Sequence, residues 1–142
     1  MKTPKEECEE LMGSAMPFAE RMLSRHREFH PFGRAMAPDG KVIAVGAHTG
    51  IELSPSQDDI ALLEEGLQEG ARAGKYKATA LVIDMLVTPP GKDVKQDAVA
   101  VRLDHRDRYS VIVVFPYTIG PTGDVTLEAP YAAKGEHKIF SR

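Results

Sequence analysis

Three segments in the second half of the chain alternate between bulky apolar residues and small or polar ones, and this period of two constrains the fold most. They are residues 76–88, 97–105 and 109–117. A period of two is that of a β-strand, because successive side chains point to opposite faces. The sequences between them, Pro89-Pro90-Gly91 and Arg106-Asp107-Arg108, are typical of turns. The second half therefore predicts a three-stranded antiparallel meander.

The N-terminal segment predicts a long helix. Thr3 and Glu6 form a Thr-x-x-Glu capping box, and Pro4 occupies a position where a missing N–H is harmless. Spacings of three and four residues place one apolar stripe on about six turns. The stripe consists of Cys8, Leu11, Met12, Ala15, Ala19, Met22 and Leu23. Pro17 falls outside this stripe, so we expect it on the outer face of the helix.

A hairpin and a second helix are predicted between these regions. Pro38-Asp39-Gly40 favours a tight turn between strands at 32–37 and 41–48. The second helix is expected to start at Ser54-Pro55-Ser56-Gln57, with Ser54 or Ser56 as its cap, and to end at Gly74. Its buried side is predicted to contain Ile60, Leu63, Leu67 and Ala71.

Together these elements predict one α+β domain over residues 1–142. The N-terminal helix, the β-hairpin and the second helix precede the three-stranded meander, which completes one mostly antiparallel sheet. A short strand is expected at 124–128, and the tail after Pro130 reads as irregular.

The alternation also predicts which strand residues share a face. The bulky face is expected on the main core, with Leu81, Ile83, Met85, Val87, Val99, Val101, Leu103, Val111, Val113 and Phe115. One register places Asp84 opposite Arg102 on the other face, with Asp104 near Ser110. That second face is too apolar for open water, so we expect either the second helix or a second copy of the chain to cover it, and we predict a homodimer.

Composition excludes several classes of function. The balance of 18 basic against 21 acidic residues gives a net charge of −3, which indicates no binding to duplex nucleic acid. A single cysteine cannot form an internal disulfide and favours a cytoplasmic setting. No apolar run is long enough to cross a membrane, and the acidic N-terminus is not a secretory signal.

The candidate site residues are few. His48 and His105 end predicted strands, and Tyr117 follows Pro116 at the end of another, so each is a candidate for binding or proton transfer. His26 and His30 have a spacing of four residues, but Pro31 disfavours a shared helical face, and no metal or cofactor is predicted. Phosphate-binding loops and a nucleophile elbow are missing from the sequence.

Two functions remain open on this basis. The first is a non-enzymatic binding or interaction module that acts as a homodimer, with Asp84 and Arg102 as further candidate binding residues. The alternative is a small enzyme or ligand-binding protein with a pocket near His48, His105 and Tyr117.

The chain also resembles a known group of sequences. Phe29-His30-Pro31-Phe32-Gly33 after the first helix, the Asp39-Gly40 turn and the late Phe115-Pro116-Tyr117 are similar to those of a group of small bacterial proteins of unknown function. The resemblance covers most of the length. The element order looks like that of profilin-like or roadblock-type domains, and less closely like secretion chaperones, which implies a fold but no activity.

Overall fold

The computed structural model describes residues 2–45 and 56–140, without the side chains of residues 56–59. Within these residues the predicted α+β fold is confirmed, with two helices and seven strands. In chain order they are α1 (Pro4–His26), β1 (Phe32–Met36), β2 (Val42–Val45), α2 (Ser56–Arg72), β3 (Ala78–Val87), β4 (Gln96–His105), β5 (Tyr109–Ile119), β6 (Val125–Leu127) and β7 (Tyr131–Lys134).

All strands join one antiparallel sheet in the order β2-β1-β3-β4-β5-β6, and β7 also pairs with β5. Strand β5 is long enough to pair with β7 along residues 111–114 and with β6 along 117–119. The expectation of an irregular tail after Pro130 was wrong, because Tyr131–Lys134 is a strand. Two consecutive alanines give β7 no alternation of its own, so its conformation depends on the hydrogen-bonded neighbour.

Helix α1 covers one face of the sheet as predicted. Both hydrogen bonds of the Thr3–Glu6 capping box are present, and Pro17 is exposed on the outer side of the helix. The buried side chains of α1 are Cys8, Leu11, Ala15, Met16, Ala19 and Leu23. They pack on small residues of the central strands, Ala78, Ala80 and Val82, and on Val99, Val101 and Leu103.

Helix α2 covers the opposite face of the sheet at β1 and β3. Of the two covers expected for this face, the second helix is therefore the one found over these strands. Leu63 and Leu67 are fully buried against Ala35, Leu81 and Ile83. The helix ends at Arg72, two residues before the predicted Gly74, which has a φ of +75°.

The predicted hairpin turn is also confirmed. The Ala37 carbonyl accepts a hydrogen bond from the Gly40 N–H at 2.8 Å, and Gly40 has a φ of +93°. This is a turn closed by a glycine in the left-handed region.

The predicted face of β3 was wrong. Asp84 pairs with Val99, whereas Arg102 pairs with Leu81, so Asp84 and Arg102 lie on opposite faces of the sheet. The contact between Asp104 and Ser110 was predicted correctly. Each face of β3 is covered by a helix: α1 approaches Ala80 and Val82, while Leu81 and Ile83 pack beneath α2. The size of the side chains on β3 therefore does not identify which face packs on α1.

Packing of α2 against the following loop generates a test of this arrangement. A Cβ at Gly70 would lie 2.1 Å from the Tyr76 ring, whereas one at Gly66, on the same helix, would meet nothing within 4 Å. We expect Gly70→Ala to lower the free energy of unfolding by about 1–3 kcal/mol. Gly66→Ala is the control and should raise it by about 0.5–1 kcal/mol. Urea unfolding measures both, and equal effects would contradict the close packing of Tyr76 on Gly70.

Candidate functional site

Two of the predicted site residues meet at the end of the sheet below the C-terminus of α1. The Tyr117 hydroxyl of β5 donates a hydrogen bond of 2.6 Å to Oδ1 of Asp84 on β3. The Phe29 N–H, in the segment between α1 and β1, approaches the other carboxylate oxygen at 3.4 Å. The carboxylate of Asp84 therefore ties three separate parts of the chain together.

The surroundings of this contact disfavour charge. Burial raises the pKa of Asp84, and the hydrogen bonds from Tyr117 and Phe29 offset only part of that effect. Burial, followed by the hydrogen bond to Asp84, also raises the pKa of Tyr117 well above its ordinary range. Tyr117 is therefore a hydrogen-bond donor at neutral pH and cannot serve as a phenolate.

His105 lies at the other end of the same face and is 1% exposed. Its Nε2 lies 2.9 Å from Oε1 of Glu7, and its Nδ1 accepts the Asp107 N–H at 3.0 Å. Because Nδ1 is an acceptor, this geometry assigns the proton to Nε2, which donates to Glu7. Glu7 also pairs with Lys77. Burial alone would raise the pKa of Glu7, but these hydrogen bonds outweigh it and lower the pKa.

The prediction of one pocket shared by His105 and Tyr117 was wrong. His105 pairs with Tyr109 at the start of β5, and Tyr117 lies eight residues further along that strand. At about 3.3 Å per residue the two are about 26 Å apart. His48, the third residue predicted for that pocket, lies outside the described residues.

Arg102 faces α2, where its guanidinium lies 3.6 Å from the Glu64 carboxylate. Lys138, in the C-terminal tail, approaches the same carboxylate at 3.8 Å. Partly exposed pairs such as these contribute little stability individually. Because Arg102 and Lys138 approach the same carboxylate of α2, these contacts mainly orient α2 and the tail over the second face of the sheet.

The C-terminal tail is attached through a residue that sequence reasoning missed. His137 has its Nδ1 2.5 Å from Oδ1 of the buried Asp104, and the Ile139 N–H donates to Oδ2 of Asp104 at 2.8 Å. The His137 N–H in turn donates to Oγ of Ser110 at 3.0 Å. Burial raises the pKa of Asp104, and the contacts with Ile139 and His137 oppose this.

The signal for this attachment was weak in the sequence. The sequence predicts that Asp104 lies near Ser110, but it does not indicate a partner for the carboxylate. His137 stands in a segment with no regular period, and its backbone has a φ of +53°. Nothing local indicated that it would fold back onto β4.

Metal binding and thiol chemistry find little support in the described part of the chain. No group of three or more His, Cys, Asp or Glu side chains there could hold a metal ion. Burial raises the pKa of the Cys8 thiol to about 12, so it is a thiol at neutral pH. Of the described helices, none is long and apolar enough to span a bilayer.

The outer edge of β2 is a further candidate for function. Strand β2 is terminal in the sheet, and no described residue pairs with its outer side. Its four residues, Val42-Ile43-Ala44-Val45, contain neither a charge nor a proline, and Ile43 is 38% exposed. Exposed edges of this kind are templates for strand pairing unless charges, prolines or bulges protect them.

The turn identifies which backbone groups of β2 point outward. The Ala37 N–H donates to the Lys41 carbonyl at 2.8 Å, so this is a hydrogen-bonded pair. Antiparallel pairs alternate, so in the observed register Ile43 bonds to β1, whereas the N–H and C=O groups of Val42 and Ala44 point away from it. Four backbone groups are thus directed outward at this edge.

Comparison of the chain with models of protein families, with curated proteins and with solved structures finds no match in any of the three.

Removal of the Tyr117 hydroxyl tests the contact with Asp84. We expect Tyr117→Phe to lower the free energy of unfolding by about 1.5–3 kcal/mol, because a hydrogen bond to a carboxylate is lost. Tyr109→Phe is the matched control: it lies on the same strand and face, and its hydroxyl has no hydrogen-bond partner among the described residues. That variant should change stability by less than about 0.5 kcal/mol. Equal losses in denaturant unfolding would contradict a specific role for the Tyr117 hydroxyl.

The raised pKa of Asp84 also predicts a pH dependence. The folded state holds the Asp84 proton more tightly than the unfolded state, so this residue makes the unfolding free energy fall as pH rises from its ordinary pKa of 3.8 through the raised value. Asp84→Asn removes this component. The difference in stability between the variant and the parent should shift in favour of the variant with rising pH and then level off, as measured by unfolding at a series of pH values. A difference independent of pH would contradict the raised pKa.

Proposed function

We propose that the protein is a cytoplasmic, non-enzymatic interaction module that acts as a homodimer, with the two copies paired through β2. The observation that carries the proposal is the apolar outer edge of β2, with which no described residue pairs and whose outward backbone groups belong to Val42 and Ala44. A cytoplasmic location is supported by the single, buried Cys8, which has no second cysteine to pair with.

The edge is self-complementary. A twofold axis at Ile43 would align Val42 with Ala44 of the partner subunit, and Ala44 with Val42 of the partner subunit. Within each aligned pair, the N–H of either residue donates to the C=O of the other. The new antiparallel ladder therefore satisfies all four outward groups of each copy. The two exposed Ile43 side chains meet at the axis and bury apolar surface.

The predicted site residues support binding rather than catalysis. His105 is held by Glu7 and Asp107, and Asp84 is held by Tyr117, so their polar atoms are engaged within the fold. A catalytic site needs such groups to converge on a common concavity with free atoms directed at a substrate.

Mass measurement in solution tests the proposed dimer. The chain has a mass of 15.5 kDa, and we expect light scattering after gel filtration to give twice that value. Ala44→Pro should give the monomer mass, because proline removes an outward N–H without removing a hydrogen bond to β1. Ile43→Lys should also give monomers, since it places two like charges at the axis.

The control places the same charge on the opposite edge of the sheet. Ala132 is an exposed residue of β7, and Ala132→Lys should leave the dimer unchanged. Circular dichroism verifies that each variant is folded. A monomeric parent chain would overturn the dimer, and folded β2 variants that still dimerise would overturn the assignment to β2.

A further inference from the structure

An open groove runs between the C-terminal half of α1 and the segment that enters β1. Its apolar wall contains three phenylalanines together with a methionine and a proline, namely Phe18, Phe29, Phe32, Met22 and Pro31. The ring centroids of Phe18 and Phe32 are 4.8 Å apart and those of Phe29 and Phe32 are 5.5 Å apart, both with the edge of one ring directed at the other. These contacts hold the rings in place, so the groove is formed before any ligand arrives.

Two arginines lie beside rings that line this groove. The guanidinium carbon of Arg34 lies 5.3 Å from the centroid of the Phe18 ring and 5.0 Å from that of Phe32. Arg21 lies 5.9 Å from the Phe18 centroid. Cations above aromatic faces are attracted by the π electrons, which holds Arg34 beside both rings.

Arg34 has no counter-ion among the described residues. Its guanidinium donates a hydrogen bond of 3.0 Å to the Gly33 carbonyl, and no described carboxylate lies within 4 Å of it. The side chain is partly buried, which lowers its pKa by desolvation. The two rings and the Gly33 carbonyl replace part of the hydration that Arg34 loses on burial, and an acid group would replace more of it.

The polar residues that line the groove carry a different charge from Arg34. They are His26, Glu28 and His30, and Glu28 is the carboxylate among the lining residues. An anionic group would be repelled at Glu28 and attracted at Arg34. An acid group is therefore favoured beside the Phe18 and Phe32 rings, where Arg34 lies, and disfavoured beside Glu28.

From this combination we infer that the groove binds a small aromatic carboxylate, with its ring against Phe18, Phe29 and Phe32 and its acid group on Arg34. The planar fork of a guanidinium matches the two oxygens of a carboxylate. The ligand would supply the counter-ion that Arg34 lacks, while its ring would bury the apolar wall. This site lies on the face of the sheet that packs against α1, whereas the proposed dimer uses the backbone edge of β2.

Fluorescence titration with two dyes tests the inference. The anionic probe is 1-anilinonaphthalene-8-sulfonate, which joins aromatic rings to an acid group, and the uncharged probe is Nile red. We expect Arg34→Gln to weaken binding of the anionic dye at least tenfold and to leave the Kd for Nile red within about twofold. Phe18→Ala should weaken both, because it removes part of the wall.

Matched controls separate the site from general charge and from unfolding. Arg72, an exposed arginine on α2, is removed in Arg72→Gln, which should bind both dyes like the parent chain. Arg34→Lys keeps the charge without the fork and should give intermediate affinity for the anionic dye. An NMR spectrum of each variant establishes that it is folded, since loosely packed states also bind such dyes.

Competition identifies the ligand class. Naphthalene-2-carboxylate should displace the anionic dye from the parent chain, and naphthalene-2-carboxamide, which has the same rings without the charge, should do so at least tenfold more weakly. Equal displacement by both compounds would overturn the inference. So would an Arg34→Gln variant that is folded and binds the anionic dye as tightly as the parent.

Discussion

The structure depends on burial of the central strands β3 and β4 from both sides. On one side small residues, Ala78 and Ala80, let α1 approach the sheet closely, and on the other Leu81 and Ile83 fill the space beneath α2. Close packing of this kind makes the position of each helix a consequence of side-chain volume. Everything else in the molecule is arranged around these two interfaces.

Two carboxylates, one partly and one fully buried, connect the margins of this core to more distant segments. Asp84 joins β3 to β5 and to the segment after α1, while Asp104 joins β4 to the C-terminal tail. A carboxylate in such a setting is costly unless it is hydrogen-bonded, so each one requires a defined arrangement of its partners. These contacts specify where the segment after α1 and the C-terminal tail lie, more than they add to net stability.

The two proposed surfaces share a physical origin. The edge of β2 has backbone groups without partners, and the groove beside α1 has a guanidinium without a counter-ion, in each case among the described residues. Elsewhere the charged residues of the interior are paired, as with Glu7, His105 and Lys77. A second molecule can bind favourably at such places, because it supplies the hydrogen-bond partners or the counter-ion that the fold itself does not provide.

Local chemistry by itself determined the helices, the main strands and their turns, since the Thr3–Glu6 box and the Gly40 turn act over a few residues. Only the tertiary structure decided which face of β3 meets α1, that β7 forms, and which polar groups meet. Asp84 and Tyr117 are 33 residues apart, and Glu7 and His105 are 98 apart. The alternation along a strand has the same period whichever face is buried, so it does not tell the two faces apart. When helices cover both faces, the packed side-chain volumes and the long-range hydrogen bonds decide which face meets which helix.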